Sequence, residues 1–509
     1  MSSNRIIVNT LAQYIRTLIT TILALYSTRL IMEILGVEEF GIYTVVAGVV
    51  SMLSFVTSAL VRTTQRYMSY YQGKSDCNYL SFLFNNCMVL HIVLGIVLSV
   101  VLLLLTPLLF NGFLNIPDER VAAAIAVYFT VIVMLFFTMV SSPYKALLIS
   151  HENIVYISII EVIDGILKVV LVIGLTYISF DKLIVYGTLM LGVQLFNFLA
   201  FSFFCFFKYK ECKIPSFKKV DFKIIKEIIG YTGWNIYNTG CIVGRNQGVS
   251  IILNRLLGAT INAAYGISFQ VAGCIGVLSN SIKNAFSPQI MRSEGSGERN
   301  KMIKMAEIET KISLLLLCAI SIPIIFEIDR ILQIWLKDVP DYSGMFCIMM
   351  LLACIADTMT TGLCSINLAI GKLGNFSIFS YSLKIATIPV ALLCKNPFQI
   401  AVVFLAFETA SSLIRLPLSN KESGIKVFPF VYNVLIKLIV PIVATSLISC
   451  ILSSYIHLKY GFLLNIAISF IFFILCFIVT SLNQEEKMVF VRAIQSLSDK
   501  LKNESFKCH

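Results

Sequence analysis

The sequence predicts an all-α polytopic membrane protein of about fourteen transmembrane helices: two six-helix lobes in parallel repeat, then two additional C-terminal helices. Three observations lead there: the composition, a succession of long apolar runs, and a weak internal repeat. Hydrophobic residues make up 58% of the chain and charged residues 13%, with a mean hydropathy of +0.86. Soluble domains carry roughly 25% charged residues, so water is not the main solvent of this chain. A hydrocarbon core about 30 Å thick takes about 20 apolar residues per helix, and a chain of 509 residues holds many such spans with short connections.

Apolar runs between polar breaks place the first six spans near 8–32, 40–61, 82–110, 121–148, 154–177 and 182–207. The first run is too long for a signal h-region and has no small-residue cleavage site, so it is expected to remain as a span. After the lysine-rich stretch 208–227, further spans fall near 229–254, 261–283, 304–326, 344–370, 375–394 and 398–418. Two more follow at 430–456 and 461–481. The predicted organisation is an N-terminal lobe 1–210, a basic cytoplasmic linker 211–228, a C-terminal lobe 229–420, the two added helices 421–482, and a cytoplasmic tail 483–509. In that tail Val491, Ile494, Leu497 and Leu501 recur at helical spacing among Lys and Arg, the pattern of an interfacial helix, with a solvated tail as the competing reading.

The linker divides a repeat. Leu35-Gly36 followed by Phe40-Gly41-Ile42 is echoed by Leu257-Gly258 followed by Tyr265-Gly266-Ile267. Gln65 pairs with Gln289, Pro107 with Pro323, Thr138-Met139 with Thr358-Met359, and Asn153 with Asn375. A repeat of six spans is even, so the second copy enters from the same face, and the lobes are related by an axis along the membrane normal with substrate expected between them.

The net charge of +12 raises the question of nucleic acid, but Lys and Arg sit in short connections between apolar runs, where the positive-inside rule expects them. Basic connections carrying Arg62, Arg66 and Lys74, Lys208 to Lys226, and Arg292 to Lys304 are read as cytoplasmic. Connections poor in bases, such as Gly36 to Phe40, Asn111 to Arg120 and the acidic stretch Glu327 to Asp341, are read as facing outward, so both termini are expected inside. The fourteen Cys form no CxxC pair, and Cys87, Cys205, Cys274, Cys318 and Cys476 sit in apolar runs as small hydrophobes. The four His are too scattered for a metal site, so neither metal nor cofactor is expected.

Charges inside spans point most directly to function, because an ionisable group at the bilayer centre costs about 2.5–3.5 kcal/mol on insertion scales. The bases are Arg16, Lys168, Arg245 and Lys384; the acids are Glu161, Asp164, Asp357 and Glu408. Glu161, Asp164 and Lys168 share one helix face, either lining a water-filled cavity or neutralising one another. Arg245 lies too deep to snorkel to an interface, whereas for the similarly deep Lys384 a buried pair with Asp357 or Glu408 competes evenly with substrate contact. Arg29, Arg62, Arg66, Lys145, Arg255, Lys283, Lys311 and Arg415 lie nearer span ends, where snorkelling or topology is the default explanation.

The stretches Leu35-Gly36-Val37-Glu38-Glu39-Phe40-Gly41-Ile42-Tyr43 and Thr64-Gln65-Arg66-Tyr67-Met68-Ser69 resemble the polysaccharide transporter family of the multidrug/oligosaccharidyl-lipid/polysaccharide (MOP) flippase superfamily, which includes O-antigen (Wzx-type) flippases. The resemblance implies two lobes around a central cavity, alternating access, and an undecaprenyl-pyrophosphate-linked oligosaccharide as cargo. It also implies a bacterial inner membrane, with membrane lipids and other polysaccharide-assembly membrane proteins as partners and no nucleic acid. Arg62 and Lys283, by position, then join Arg16, Lys168, Arg245 and Lys384 as a pyrophosphate-binding set, since guanidinium binds such anions through paired hydrogen bonds. Glu161, Asp164, Asp357 and Glu408 would balance charge or carry a coupling ion. A cation antiporter of the same superfamily is the nearest alternative, although such proteins often place a carboxylate where this chain has Arg16. A membrane enzyme of the same pathway, such as a polymerase, would need a sizeable outer loop, and the predicted outer loops are short. No catalytic residues are therefore assigned, and without a glycine-rich phosphate loop the energy is expected from an ion gradient or from downstream removal of cargo.

Overall fold

The computed structural model describes residues 2–481 apart from 52, 75, 76, 114, 115, 337 and 456–460. The predicted amphipathic tail, 483–509, lies outside the described residues. Those described form helices joined by short connections, with no strand among them. In chain order the helices are α1 (Ser2–Leu35), α2 (Val37–Ser51), α3 (Ser54–Gly73), α4 (Cys77–Leu108), α5 (Val121–Ser150), α6 (Ile154–Gly174), α7 (Lys182–Lys208), α8 (Phe222–Leu257) and α9 (Ala259–Gly295). They continue with α10 (Arg299–Trp335), α11 (Ser343–Thr358), α12 (Thr361–Ile370), α13 (Gly374–Ile385), α14 (Thr387–Ala391), α15 (Pro397–Ser423), α16 (Val427–Phe430), α17 (Lys437–Tyr455) and α18 (Gly461–Thr480).

Helices stand at every predicted span position. Among the described residues nine are long and apolar enough to cross a membrane, ten if the bent pair α11 and α12 counts as one span. The other four have physical reasons to fall short: α6 carries Glu161, Asp164 and Lys168 within its 21 residues, the apolar run of α8 is interrupted by glycines and by the polar residues Arg245-Asn246-Gln247, and the predicted second and eleventh spans are each broken into two helices. The chain is a multi-pass membrane protein.

The chain divides into two compact units, one comprising Val8–Ile236 with Gly295–Gly297, the other Met1–Ile7, Tyr237–Glu294 and the described residues from Glu298 on. In the first, α5 is the central helix and packs against α3, α4 and α7. It can do so because Ala124, Val127, Tyr128, Val131, Leu135 and Met139 line one buried stripe at helical spacing. In the second, α10 packs against α11, α12, α17 and α18, while α15 packs against α11, α12 and α13. The two added C-terminal helices are thus part of the second unit's core, where Phe473 and Phe477 of α18 join Leu314 and Cys318 of α10.

The repeat is visible in backbone conformation. Gly36 ends α1 with φ +89° and Gly258 ends α8 with φ +93°, a left-handed geometry that favours glycine. Pro107 lies inside α4 and Pro323 inside α10, and Gln65 and Gln289 are both buried. The copies differ at Thr138-Met139 and Thr358-Met359: α5 runs straight through its pair, whereas α11 stops at Thr358 and bends by 44° into α12. One expectation is corrected. The acidic connection read from Glu327 onward begins later, because α10 continues to Trp335. Glu327 is 1% exposed, holding Arg330 at 3.1 Å and accepting a 2.6 Å hydrogen bond from Asn465 Nδ2 on α18.

Candidate functional site

Each unit gathers several of its intramembrane charges into a cluster with more bases than acids. In the first, Arg16 of α1, Lys145 of α5 and Glu161 of α6 meet: Arg16 Nη1 lies 2.7 Å from Glu161 Oε2, and Lys145 Nζ donates to Glu161 Oε1. Two bases answer one acid, so the cluster is formally one unit positive. Its side chains are 22–36% exposed. Asp164, one turn along α6, holds Lys168 at 2.8 Å and accepts from Asn197 Nδ2 of α7 at 2.7 Å. The face shared by Glu161, Asp164 and Lys168 therefore splits, one acid turning to α1 and α5 and the other to α7. Arg62 is exposed on α3. One turn on, Arg66 is buried with its guanidinium carbon 4.7, 4.9 and 5.3 Å from the ring centres of Tyr67, Tyr70 and Tyr231, within cation–π range.

The second unit brings together Arg245 of α8, Asp357 of α11, Lys384 of α13, and Glu408 and Arg415 of α15. Glu408 and Arg415 are seven residues apart, two turns on one face of α15. That helix is set in register by Asn396, whose side chain caps it by accepting from the Gln399 N–H at 2.8 Å, and by Pro397 at its first position. Arg245 Nη1 donates to Glu408 Oε2, and Lys384 Nζ donates to Glu408 Oε1 and, at 2.9 Å, to Asp357 Oδ1. Arg415 Nη1 reaches the same Asp357 oxygen at 2.9 Å and Thr360 Oγ1 at 3.2 Å. Three bases thus hold two acids, again one unit positive. The break after Thr358 leaves Asp357 in the last turn of α11, where the helix dipole disfavours an anion; Lys384 and Arg415 compensate. Arg245 also stacks over Phe404 at 4.1 Å, and Phe404 lines a small apolar cavity with Val249, Tyr265 and Met350.

Accessibility within this cluster is uneven. The side chains of Arg245, Lys384, Glu408 and Arg415 are at most 6% exposed, whereas that of Asp357 is 47% exposed. What the cluster offers to a solute is a carboxylate already held by two buried bases. Lys283, on α9, is half-buried and faces Glu309 of α10 electrostatically, apart from the five-residue cluster.

Family relationships agree with this architecture. The polysaccharide biosynthesis protein family matches residues 3–294, more than half of the chain. The chain belongs to that family. This family member is also 23% identical over 317 residues to the uncharacterized membrane protein EpsK of Bacillus subtilis (strain 168), a match spanning 59% of each sequence and so less than two thirds of that relative's length. Among solved structures, a MATE transporter in the bent conformation aligns with a TM-score of 0.73 at 12% identity, covering 83% of this chain and 96% of that one. A MOP superfamily transporter from Pyrococcus furiosus, described as having a binding pocket of reversed polarity, aligns with a TM-score of 0.71 at 13% identity over 83% and 96%. At such identities the likeness establishes the fold alone.

The sequence reading of this family member assigns Arg415, Lys145 and Arg66 to span ends, yet Arg415 is 2% exposed inside the cluster and Lys145 bonds Glu161. Distance from the end of an apolar run misleads here because α15 continues to Ser423 and α5 to Ser150, which buries Arg415 and brings the partly exposed Lys145 to Glu161. Glu309, 0% exposed on α10, is missed for the same reason. Among the described residues no group of His, Cys, Asp or Glu is placed to hold a metal ion.

Proposed function

We propose that this protein flips an undecaprenyl-pyrophosphate-linked oligosaccharide, the repeat unit of a surface polysaccharide such as O-antigen or capsule, across a bacterial inner membrane by alternating access, with both termini cytoplasmic. The observation that carries the reading is the excess of base over acid in both charged clusters. Arg16 and Lys145 against Glu161 leave one partly exposed positive charge for an anionic cargo, and Arg245, Lys384 and Arg415 against Asp357 and Glu408 leave a second that is buried behind Asp357. A pyrophosphate competes with the resident carboxylates for the same guanidinium and ammonium donors, so the acids keep the empty clusters soluble in the bilayer and yield when cargo arrives. Lys168, Lys283 and Arg62 would contribute to the same positive field. Membership of the polysaccharide biosynthesis family supports the saccharide part of the cargo, and the reversed polarity described for the Pyrococcus furiosus transporter offers a fold relative with unusual pocket charge.

The second reading, a cation antiporter, rests on Asp357, the exposed acid of its cluster. The deciding experiment is translocation of a fluorescent lipid-pyrophosphate-oligosaccharide in proteoliposomes, wild type against Arg16→Ala and Arg245→Ala, with equal reconstitution verified. Translocation lost in the variants supports the flippase; uptake of organic cations without lipid translocation supports the antiporter and sinks the first reading.

A further inference from the structure

The acids proposed above for charge balance are each engaged by a base: Glu161 by Arg16 and Lys145, Asp164 by Lys168, Asp357 by Lys384 and Arg415, and Glu408 by Arg245 and Lys384. Glu309 of α10 is different. It is completely buried, its Oε1 accepts a 2.9 Å hydrogen bond from Ser365 Oγ of α12, and its Oε2 has no hydrogen-bond partner. The site is built by a close helix approach. The Gly362 N–H at the start of α12 donates to Thr310 Oγ1 of α10 at 3.0 Å, and one turn further Ser365 meets Glu309. Charged groups stand on several surrounding elements: on α10 itself Lys304 and Glu307 precede Glu309 by five and two residues, and the end of α9 carries Arg292 and Glu294. Lys283 of α9 acts on Glu309 electrostatically, Lys311 is buried two residues along α10, Asp357 is the charged residue of α11, and Lys437 is the first residue of α17. Neither α12 nor α18 carries Asp, Glu, Lys, Arg or His.

A carboxylate anion sealed from water with one oxygen unbonded is far more costly than a neutral carboxylic acid in the same place. We propose that Glu309 is a proton-binding site of the second unit. Oε2 takes a proton from hydronium, releasing water, when its surroundings are hydrated, and the neutral acid is what the buried arrangement holds. The ligand is a proton rather than a metal cation, because a single hydroxyl is the other oxygen donor bonded at the site and alkali and alkaline-earth cations require several. The inference does not depend on which cargo is carried, and its test does not use transport.

Infrared difference spectra of the full-length protein in liposomes, recorded across pH steps, read the site. A protonated-carboxyl C=O band is expected in wild type and in Glu161→Gln, and absent in Glu309→Gln. Ser365→Ala, which leaves the acid in place, is expected to keep the band and move its frequency, because Oε1 loses its donor. A band that persists in Glu309→Gln, or is indifferent to Ser365→Ala, overturns the assignment. A spectral response to added sodium at fixed pH overturns the proton in favour of a cation.

Discussion

Arg245 of α8 and Glu408 of α15 close a buried ion pair in which the carboxylate is shared, its second oxygen held by Lys384. Removing the shared partner of two sequestered bases is therefore the most damaging single change in the cluster. Breaking a buried pair by deleting one side costs about 3–5 kcal/mol, and Glu408→Ala is expected at the upper end because two bases lose their acid. Asp357→Ala is expected to cost less, since its half-exposed side chain already leaves its partners within reach of water. Thermal unfolding of the detergent-solubilised variants, followed by size-exclusion chromatography, gives the order; an equal or larger loss for Asp357→Ala contradicts this account of the cluster.

Gly362 sits where α12 docks on α10. A Cβ there would run into the Ala306 carbonyl oxygen and come within 2.5 Å of Thr310 Oγ1, and backbone cannot move aside as a side-chain tip can. Gly362→Val is expected to abolish accumulation of folded protein. Thr310→Val, which keeps the volume but strands the Gly362 N–H, is expected to cost about 1–3 kcal/mol, the usual penalty for an unsatisfied buried donor. Expression and melting temperature of the two variants check the ranking.

Gly36 and Gly258 hold the same left-handed conformation at φ +89° and +93°. Alanine there costs roughly 1–2 kcal/mol of backbone strain, while a Cβ at either position meets nothing within 4 Å, so the loss is conformational. Gly36→Ala and Gly258→Ala are each expected to lower the melting temperature similarly; a variant left at wild-type stability would show that its turn is not required.

These two glycines also show why the fold was legible. A left-handed turn restricts residue choice so sharply that both copies of the repeat keep the glycine, and long apolar runs declare membrane helices without knowledge of their neighbours. The clusters were legible only in half. Arg16, Glu161, Arg245, Lys384 and Glu408 announce themselves by depth in a run, but Arg415, Lys145 and Glu309 gain their roles from residues 16 to 56 positions away or from helices that outrun the apolar segment. Pairing across helices leaves no local signal. Likewise, the split of Glu161 and Asp164 toward different neighbours depends on where α1, α5 and α7 pack, which the spacing on α6 alone does not fix.

Outside the spans, Asp181 gives a pH-dependent element. Its carboxylate caps α7, accepting from the Leu183 and Ile184 N–H groups at 3.0 and 3.3 Å, and takes Arg120 at 2.7 Å. The Arg120 guanidinium beside it holds the carboxyl below the usual aspartate range. Because the folded value is the lower one, the stabilisation is present above the unfolded value of about 3.9 and is lost as pH falls through the folded value. Asp181→Ala is therefore expected to lose about 1 kcal/mol near neutral pH, typical of an N-cap, with the gap to wild type closing as pH falls below about 4. Melting curves of both proteins across acidic pH test the sign: a gap that widens on acidification would contradict it.

Glu161 offers the sharpest separation between a structural salt bridge and an anion site. In the first unit it occupies both Arg16 and Lys145, so it acts as a resident competitor for any anion those bases attract. Glu161→Gln keeps the shape and removes the competing charge, freeing two charge-assisted donors. If the cluster binds the pyrophosphate of a lipid-linked cargo, this variant should bind a short prenyl pyrophosphate more tightly than wild type, by tenfold or so for each ~1.4 kcal/mol of competition removed, and Arg16→Ala should bind it more weakly. Were the cluster only a neutralising pair, Glu161→Gln would leave two uncompensated bases, lose stability and gain no affinity. Calorimetric titration of the purified variants, with inorganic pyrophosphate as the control that lacks the lipid, distinguishes the two because affinity and stability are then predicted to move in opposite directions.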